Sequence, residues 1–306
     1  MINKLRCKAE LRYLKRRREL PVSSPNKVAQ SPVFIVGSGR SGNTLLRRGL
    51  VEHTDLVIPP ETYVLGEIII FFYKHNSLGW NAVVKYAMAA FCFHPEFDDT
   101  FGINLSQLYR ELIQVPEKER SLEMLLSSFY RYYAESKSVS SEKYESFRWG
   151  DKTPLNTYSV WDLYKVFPSA YFIGIYRDPV DVVASYVKSG IYSSIEGAAL
   201  RWLNSNKILM EFKRVHPEIC QIVRYENLVG NYESTIQELC NFCHLDYRSK
   251  AIEQALGDVG VREHHSNVLG SISSASVGKG RRELNAKQVE EVEFITSNFH
   301  SKHAEV

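Results

Sequence analysis

The chain has 306 residues, of which 44% are hydrophobic and 24% charged, and its formal net charge is +3. This ordinary composition excludes a disordered or collagen-like chain, and no apolar run approaches the roughly 20 residues that a membrane-spanning helix requires. The first residues contain no apolar segment of the kind that a secretory signal needs. Five cysteines at irregular spacing argue against a disulfide framework, so we expect a cytoplasmic protein in a reducing compartment.

The first 30 residues contain a basic segment followed by a Pro-rich linker. Eight Lys and Arg side chains and only two Glu side chains occur before residue 25, with leucines interleaved. A short basic helix of this kind would suit peripheral contact with the inner face of a membrane, or with an acidic partner. The alternative is a solvated chain end, which is common in proteins.

From residue 31 onward, short apolar runs alternate with helical patterns. Strands are predicted at 33–36, 55–58, 147–150, 171–176 and 220–225, and helices at 44–53, 180–188 and 232–243. Residues 62–145 have a largely helical pattern. Strands that alternate with helices of ten or more residues predict an α/β fold, with a parallel sheet flanked by helices. We expect one domain over residues 31–300, in which residues 62–145 form a helical insertion that caps the acceptor site.

A glycine-rich turn joins the first predicted strand to the first predicted helix. Its sequence is Gly37-Ser38-Gly39-Arg40-Ser41-Gly42-Asn43-Thr44. In a strand–turn–helix arrangement, backbone N–H groups converge on an anion and the helix dipole favours negative charge. The glycines permit the backbone conformations that such a cradle needs, and the guanidinium, hydroxyl and amide side chains add donors. The turn therefore predicts a phosphate-binding loop, in preference to a simple link between strand and helix.

This loop departs from the loops that bind nucleoside triphosphates. Those loops follow the pattern G-x-x-x-x-G-K-[ST], in which the Lys contacts the phosphates. Gly37 and Gly42 keep the glycine spacing, but Asn43 stands at the position of the Lys. The sequence therefore favours another phosphate-containing ligand, and a metal-dependent small-molecule kinase remains the alternative enzyme.

The loop G-S-G-R-S-G-N-T-L-L resembles the 5′-phosphosulfate loop of sulfotransferases. A second segment, which begins Tyr176-Arg177-Asp178-Pro179 and runs to Ser185, resembles the family's R-[DN]-P-x-[DE]-x-x-x-S element. Arg177 would leave its strand at the carboxyl edge of the sheet, where open α/β sheets bind ligands, and Ser185 lies about two turns further along a helix. The resemblance covers residues 31–295 and is closest to the branch of the tyrosylprotein and many bacterial sulfotransferases.

The resemblance implies a donor, which is 3′-phosphoadenosine 5′-phosphosulfate (PAPS), and no metal. It implies that Arg177 and Ser185 bind the 3′-phosphate of this donor. It also implies a set of donor-binding residues in the loop, namely Gly39, Arg40, Ser41, Gly42, Asn43 and Thr44.

Two short elements carry the residues that the resemblance implies for catalysis. Pro59-Pro60-Glu61-Thr62 resembles the family's E-[ET] element, which implies that Glu61 is the catalytic base. Gly150-Asp151-Lys152-Thr153-Pro154 resembles its [ND]-K-[TD]-P element, which implies that Lys152 approaches the sulfuryl group; the alternative is a surface lysine. With Lys152, Arg40 would neutralise charge on the leaving phosphate.

Two further segments complete the predicted donor site. Arg224-Tyr225-Glu226-Asn227-Leu228 resembles the family's R-Y-E-[DN]-L element, so Tyr225 either packs on the adenine or is a core tyrosine. Residues 273–284 resemble the C-terminal loop of the family, which closes over the nucleotide, although a solvated basic loop has the same composition. The residues predicted here are Ser276, Lys279, Gly280 and Arg281.

Two other motifs favour structural interpretations. Cys240 and Cys243 have C-x-x-C spacing, but no second pair exists to complete a zinc site, so they are predicted to be core residues. His264 and His265 have no companion ligands at metal-binding spacing and are predicted to lie in a loop.

The sequence thus predicts a PAPS-dependent sulfotransferase that acts on a hydroxyl group. We expect the acceptor to be a carbohydrate or polysaccharide, with a protein tyrosine as the second choice, because residues 62–145 are rich in aromatic side chains. The alternative from another functional class is a non-catalytic protein that retains a nucleotide-binding fold. We expect no nucleic-acid partner, and the sequence leaves the oligomeric state open.

Overall fold

The computed structural model describes residues 20–23, 31–95, 97, 101–137, 148–249 and 274–303. The chain divides into two compact units. The first comprises Met1–Gln30, Thr62–Ser146 and Asp162–Pro168, and the second comprises Ser31–Glu61, Phe147–Trp161 and Ser169–Val306. The predicted basic N-terminal helix and most of the Pro-rich linker lie outside the described residues.

A parallel sheet of five strands lies in the second unit. The strands are β1 (Val33–Gly37), β2 (Leu56–Val57), β3 (Arg148–Lys152), β4 (Tyr171–Tyr176) and β5 (Cys220–Arg224). Their spatial order is β2-β3-β1-β4-β5, and Val33 of β1 aligns with Gly150 on one side and with Tyr171 on the other. Because all strands are parallel, their carboxyl ends meet at one edge of the sheet, where ligands of such folds bind.

Helices follow the strands along the chain and make up most of the remaining secondary structure. In chain order they are α1 (Asn43–His53), α2 (Leu65–His75), α3 (Trp80–Cys92), α4 (Ser106–Gln114), α5 (Leu122–Ser136), α6 (Val160–Val166), α7 (Pro179–Lys188), α8 (Ile195–Val215), α9 (Tyr225–Gly230), α10 (Tyr232–Phe242), α11 (Gly280–Glu283) and α12 (Ala286–His303). The prediction of an α/β fold with a helix-flanked parallel sheet is confirmed. None of the helices within the described ranges has the length and apolar character that a bilayer crossing requires.

Two apolar clusters hold the second unit together. The first joins β1 to α1 and α10, with Ile35, Leu50 and Ile236 completely buried. The second joins the end of β4 to α7, α8 and α12, around the fully buried Trp202 and Val292. Since each large apolar side chain contributes about 1.5–3 kcal/mol when buried, the two clusters fix the carboxyl edge of the sheet between well-packed helices.

Several boundaries differ from the predicted ones. The third strand begins at Arg148 and continues to Lys152, because the polar Asp151 and Lys152 are buried and Lys152 pairs with Ile35 of β1. The fifth strand ends at Arg224, and Tyr225 already begins α9. No sequence pattern predicted α8, whose buried stripe includes the polar Ser205 and Asn206 and so lacks a clean apolar period.

The first unit contains α2 to α5, which agrees with the helical pattern predicted for residues 62–145. Aromatic side chains form much of its interior, and the rings of Phe91 and Phe129 stack with their centres 3.8 Å apart. The indole of Trp80 donates a hydrogen bond to the carbonyl of Leu112 at 2.6 Å. Phe93, in contrast, is 85% exposed, so the aromatic residues of this unit are not all core residues.

Candidate active site

The turn between β1 and α1 contains three residues with left-handed backbone conformations. Gly37, Arg40 and Gly42 have φ angles of 131°, 63° and 104°. A Cβ atom at Gly37 would lie 2.8 Å from the carbonyl oxygen of Ile175 on β4, so only glycine fits there. Arg40 has a side chain and still adopts a positive φ, a conformation that is uncommon and concentrates at functional sites. The backbone of this turn therefore has a conformation that requires glycine at position 37 and is uncommon for Arg40.

Thr157 fixes the start of the loop. Its buried hydroxyl accepts a hydrogen bond from the N–H of Gly37 at 2.7 Å and donates one to the carbonyl of Gly37 at 2.9 Å. Thr157 lies in the 3₁₀ helix Pro154–Ser159, which follows β3, the neighbour of β1 in the sheet. No sequence motif singles out Thr157, because only the strand order brings it to the loop.

Asn43 braces the loop from within. Its side-chain amide donates a hydrogen bond to the carbonyl of Ser38 at 2.8 Å, and the residue is 4% exposed. Asn43 was predicted to bind the donor from the position that Lys occupies in nucleoside-triphosphate loops. The amide is instead directed into the loop, so a ligand contact by Asn43 would fall to its backbone N–H.

The N-terminus of α1 has the features of an anion site. Gly42 is the N-cap residue, no side chain caps the helix, and its first turn contains no acidic residue. The hydroxyl of Ser41 is buried and has no hydrogen-bond partner in the described part of the chain. Helix N-termini leave several N–H groups without intrahelical partners, and these groups favour an anion. The loop therefore offers backbone and side-chain donors to a negatively charged ligand.

Glu61, Lys152 and Thr44 meet beside this loop. The ammonium of Lys152 forms an ion pair with the carboxylate of Glu61 and lies 3.5 Å from the hydroxyl of Thr44. The Lys152 side chain is 3% exposed and that of Glu61 is 14% exposed. Burial lowers the pKa of Lys152, and the charge of Glu61 opposes this effect. The structure thus brings together three residues that the sequence motifs placed far apart along the chain.

Arg177 lies at the carboxyl end of β4 and is held from several sides. Its guanidinium donates to the carbonyl of Arg40 at 3.2 Å and to that of Ser276 at 2.6 Å, and it lies 3.6 Å from a carboxylate oxygen of Asp181. The guanidinium carbon also stands 4.1 Å from the centre of the Tyr225 ring. The Nε of Arg177 is buried and has no hydrogen-bond partner among the described residues. The Nε–H of Arg177 therefore remains as a hydrogen-bond donor for a ligand.

Arg40 and Ser185 contact each other. The Nε of Arg40 donates a hydrogen bond to the hydroxyl of Ser185 at 3.0 Å. Burial is the largest cause of the lowered pKa of Arg40, and the nearby charge of Arg177 lowers it further. Two partly buried guanidinium groups beside the same loop favour a negatively charged ligand at this edge of the sheet. The resemblance assigns Arg40 and Ser185 to different phosphates, whereas in the structure their side chains contact each other.

Two tyrosines support the loop from below. A Cβ atom at Gly39 would lie 2.7 Å from the hydroxyl of Tyr186, and one at Gly42 would lie 2.5 Å from the ring of Tyr225. The absence of a Cβ atom at Gly39 and Gly42 therefore lets the loop backbone pack directly against these two side chains. Tyr225 is 7% exposed and belongs to the first apolar cluster, which matches the core interpretation; its packing on adenine stays a prediction.

The C-terminal segment approaches the site through its backbone. The N–H groups of Gly278 and Gly280 donate to the two carboxylate oxygens of Asp181, at 2.9 Å and 2.6 Å. The carbonyl of Ser276 accepts the hydrogen bond from Arg177. The N–H of Gly280, which was predicted to bind the donor, is therefore already bonded to Asp181. Asp181 occupies the acidic position of the R-[DN]-P-x-[DE] motif, and that position was the signal that could have singled it out.

Two basic side chains of this segment, those of Lys279 and Arg281, are paired with carboxylates. Lys279 lies 3.6 Å from Glu283, and Arg281 lies 2.7 Å from Glu293 of α12, which raises the pKa of Arg281. Their exposed fractions are 44% and 52%. The predicted contact of these two side chains with the 3′-phosphate would require them to leave or share their carboxylate partners.

The described residues contain no group of three or more His, Cys, Asp or Glu side chains that could hold a metal ion. Cys240 and Cys243 are completely buried, as predicted for core cysteines, and burial raises the pKa of each thiol to about 12. His264 and His265 lie outside the described residues.

Comparison with known proteins decides the family. Residues 32–249, more than half of the chain, match the profile of a family described as the sulfotransferase family. The chain belongs to the sulfotransferase family. A sulfotransferase domain from the Synechococcus PCC 7002 olefin synthase is 18% identical in sequence, with a TM-score of 0.55 over 91% of this chain and 98% of that domain.

Two further relatives are informative. A sulfotransferase domain from the curacin biosynthetic pathway is also 18% identical, with a TM-score of 0.57 over 88% of this sulfotransferase and 97% of that domain. At this identity, the likeness to both solved structures shows a shared fold. An uncharacterized protein of Aquifex aeolicus (strain VF5) is 25% identical over 236 residues, which are 74% of this chain and 27% of that protein. The chain thus spans about a quarter of the length of this relative.

Proposed function

We propose that this sulfotransferase uses PAPS as its donor and transfers the sulfuryl group to an acceptor hydroxyl. The observation that carries the proposal is the contact of Lys152 with Glu61 and Thr44 next to the loop that follows β1. A carboxylate that can accept a proton and a cation that can neutralise a leaving group are both needed for this transfer. Here they stand side by side at the carboxyl edge of the sheet.

The hydrogen-bond donors of the site that have no partner within the described residues fit a ligand with two separate anionic ends. The hydroxyl of Ser41 and the Nε of Arg177 are buried and unpartnered within the described residues. Buried polar groups without partners cost free energy, so a bound anion would offset that cost. The loop N–H groups with Thr44 and Lys152 would hold the 5′-phosphosulfate, and Arg177 with Ser185 would hold the 3′-phosphate.

PAPS supplies an activated sulfuryl group when it is bound, and the chain supplies acid–base and electrostatic assistance. Glu61 would accept the proton of the acceptor hydroxyl, a role worth roughly 10²–10⁴ in rate. The ammonium of Lys152 would turn from Glu61 toward the oxygen of the 5′-phosphate on which negative charge develops as the bond to sulfur breaks. Arg40 would stabilise the charge on the same phosphate. Burial lowers the pKa of Lys152, and the ion pair with Glu61 opposes this effect.

The proposed acceptor is a carbohydrate hydroxyl. The first unit offers aromatic rings of the kind that stack on sugars, including Tyr63, whose ring stacks on His94 with centres 4.8 Å apart. Tyr63 also has a φ angle of 59°, which is uncommon for a residue other than glycine. Protein-tyrosine O-sulfation is the second candidate acceptor reaction, because aromatic surfaces also bind phenols.

The experiment that tests the proposal is a transfer assay with sulfur-labelled PAPS in the presence of EDTA. Glycans, phenols and tyrosine-containing peptides serve as acceptors, and a parallel assay supplies labelled ATP with magnesium. We expect label to pass from PAPS to glycans without added metal. Transfer from ATP alone would support a kinase, and binding of adenosine 3′,5′-bisphosphate without any transfer would support a non-catalytic protein; either result would overturn the proposal.

A further inference from the structure

We propose that Asp181 is a positioning residue, which docks residues 276–280 onto Arg177 and thereby assembles the 3′-phosphate site before the donor binds. We call residues 276–280 the docking segment. The inference rests on the proposed function, because it takes the 3′-phosphate as the ligand of Arg177. It concerns a residue to which the sequence motifs assigned no role.

Asp181 is a buried carboxylate whose partners are backbone groups of the docking segment. The residue is 3% exposed, and its two oxygens accept separate hydrogen bonds from the N–H groups of Gly278 and Gly280. A buried charge is tolerated only when hydrogen bonds or an opposite charge compensate it. The docking segment therefore provides most of the compensation that Asp181 needs, and leaving Asp181 would expose two unpaired donors.

Arg177 contacts the same segment and the same carboxylate. Its Nη2 donates to the carbonyl of Ser276 at 2.6 Å and lies 3.6 Å from Asp181. The aromatic face of Tyr225 covers the guanidinium carbon. These contacts hold the guanidinium in one orientation and leave its Nε without a partner in the described part of the chain. A cation that is held in place before binding loses less conformational entropy when the anion arrives.

The docking segment lies flush against the first turn of α7. A Cβ atom at Gly280 would overlap the carbonyl oxygen of Val180, so this close approach requires glycine. Asp178 is the N-cap residue before the same helix, and its side chain accepts hydrogen bonds from the N–H groups of Val180 and Asp181. Two aspartates three residues apart thus have different tasks, because Asp178 caps the helix and Asp181 binds the segment.

Substitution of Asp181 by Asn gives opposite expectations for the two explanations of its role. If Asp181 acts only through its charge, removing a negative group 3.6 Å from Arg177 should tighten the binding of a phosphate. If Asp181 holds the docking segment, an amide with a single acceptor oxygen should release one N–H group, loosen the segment and weaken phosphate binding. The sign of the change in affinity therefore separates them.

The first measurement is limited trypsin digestion of the full chain without ligand, followed by mass spectrometry. Trypsin can cut after Lys279, Arg281 and Arg282, and cleavage of a native chain reports how often the segment opens. We expect Asp181→Asn to increase the cleavage rate at these bonds at least about tenfold. Asp178→Asn is the matched control, since Asn is an equally good N-cap, and its cleavage rate should equal that of the unmodified protein.

The second measurement compares the Kd values of adenosine 3′,5′-bisphosphate and AMP by calorimetry. In Asp181→Asn we expect the bisphosphate to bind at least about tenfold more weakly and AMP to bind as before, because only the bisphosphate contacts Arg177. Gly280→Ala should reproduce both effects while keeping the carboxylate, since its methyl group would push the segment off α7. Asp178→Asn should bind both nucleotides normally.

Three results would overturn the inference: unchanged cleavage in Asp181→Asn, tighter bisphosphate binding in that variant, or an equal loss of affinity for both nucleotides. The last would indicate general loss of structure. If the unmodified protein does not prefer the bisphosphate to AMP, the proposed donor is wrong. Failure of the donor assignment is thus seen in the unmodified protein, and failure of the docking role is seen in the variants.

Discussion

Glu61 can be tested by a change that keeps its shape. In Glu61→Gln the amide can still accept a hydrogen bond from Lys152 but cannot take a proton from a hydroxyl. We expect the donor to bind as before and the single-turnover rate to fall at least about tenfold, the lower part of what proton transfer supplies. Loss of a partner from a buried ion pair costs about 3–5 kcal/mol, and a Gln that still accepts a hydrogen bond should cost less.

The control for this variant is Glu52→Gln. Glu52 pairs with Arg48 on α1 at 2.8 Å, so the same chemical change is made at an ion pair outside the site. Its transfer rate should equal that of the unmodified protein. A stable Glu61→Gln protein with full turnover would remove Glu61 as the base.

Arg177 and Arg40 should respond differently to replacement by Ala. Arg177→Ala should raise the donor KM with little effect on kcat, because its contact persists from ground state to transition state. Arg40→Ala should raise KM and also lower kcat, because charge grows on the 5′-phosphate as the bond to sulfur breaks. Arg214→Ala, which removes an exposed ion pair with Glu211, is the control. An unchanged donor KM in both site variants would contradict the assignment.

The C-terminal helix α12 should make stability depend on pH through His300. The Nδ1 of His300 and the hydroxyl of Tyr176 are joined by a hydrogen bond of 2.7 Å, in which the hydroxyl can donate when Nδ1 carries no proton. Burial is the main cause of the lowered pKa of His300, and Asp178 and Glu226 oppose it while Arg224 and Arg281 add to it. The folded protein therefore binds the proton less readily than the unfolded chain, whose His has a pKa of about 6.5.

The sign of this effect follows from linkage. The contribution of neutral His300 to the free energy of unfolding is fully present above the unfolded pKa of this residue. It is lost as the pH falls from about 6.5 through the lowered pKa of the folded state. His300→Gln should reduce the drop in Tm between pH 7.5 and pH 5. Thermal melts of the two proteins at both pH values check this expectation. An identical drop in both would show that α12 does not depend on a neutral His300.

For the molecule as a whole, the sequence predicted the strands of the sheet better than it predicted their ends and the helix α8. The strand Tyr171–Tyr176 was predicted at its observed bounds because a continuous apolar run is typical of a buried parallel strand. Asp151 and Lys152 concealed the end of β3, since two charged residues do not look like a buried strand. The polar residues within α8 hid a helix of 21 residues.

In the candidate site, too, some residues could be predicted from the sequence and others could not. The motifs that resemble those of sulfotransferases pointed to Glu61, Lys152 and Arg177, and the structure places Glu61 and Lys152 in contact. Thr157 belongs to no motif, and Asp181 occupies the acidic position of the R-[DN]-P-x-[DE] motif but received no role, because both residues bind backbone groups that only the fold brings near. The side-chain direction of Asn43 was equally hidden, since an amide can face a ligand or the loop itself.

We propose that the two anion sites of this sulfotransferase bind the two ends of one PAPS molecule. Calorimetry with adenosine 3′,5′-bisphosphate, AMP and ATP, each with EDTA and with magnesium, tests it most directly. We expect the bisphosphate to bind much more tightly than AMP or ATP, and magnesium to make no difference. Equal affinity for the bisphosphate and AMP, or tight binding of magnesium-ATP, would contradict it.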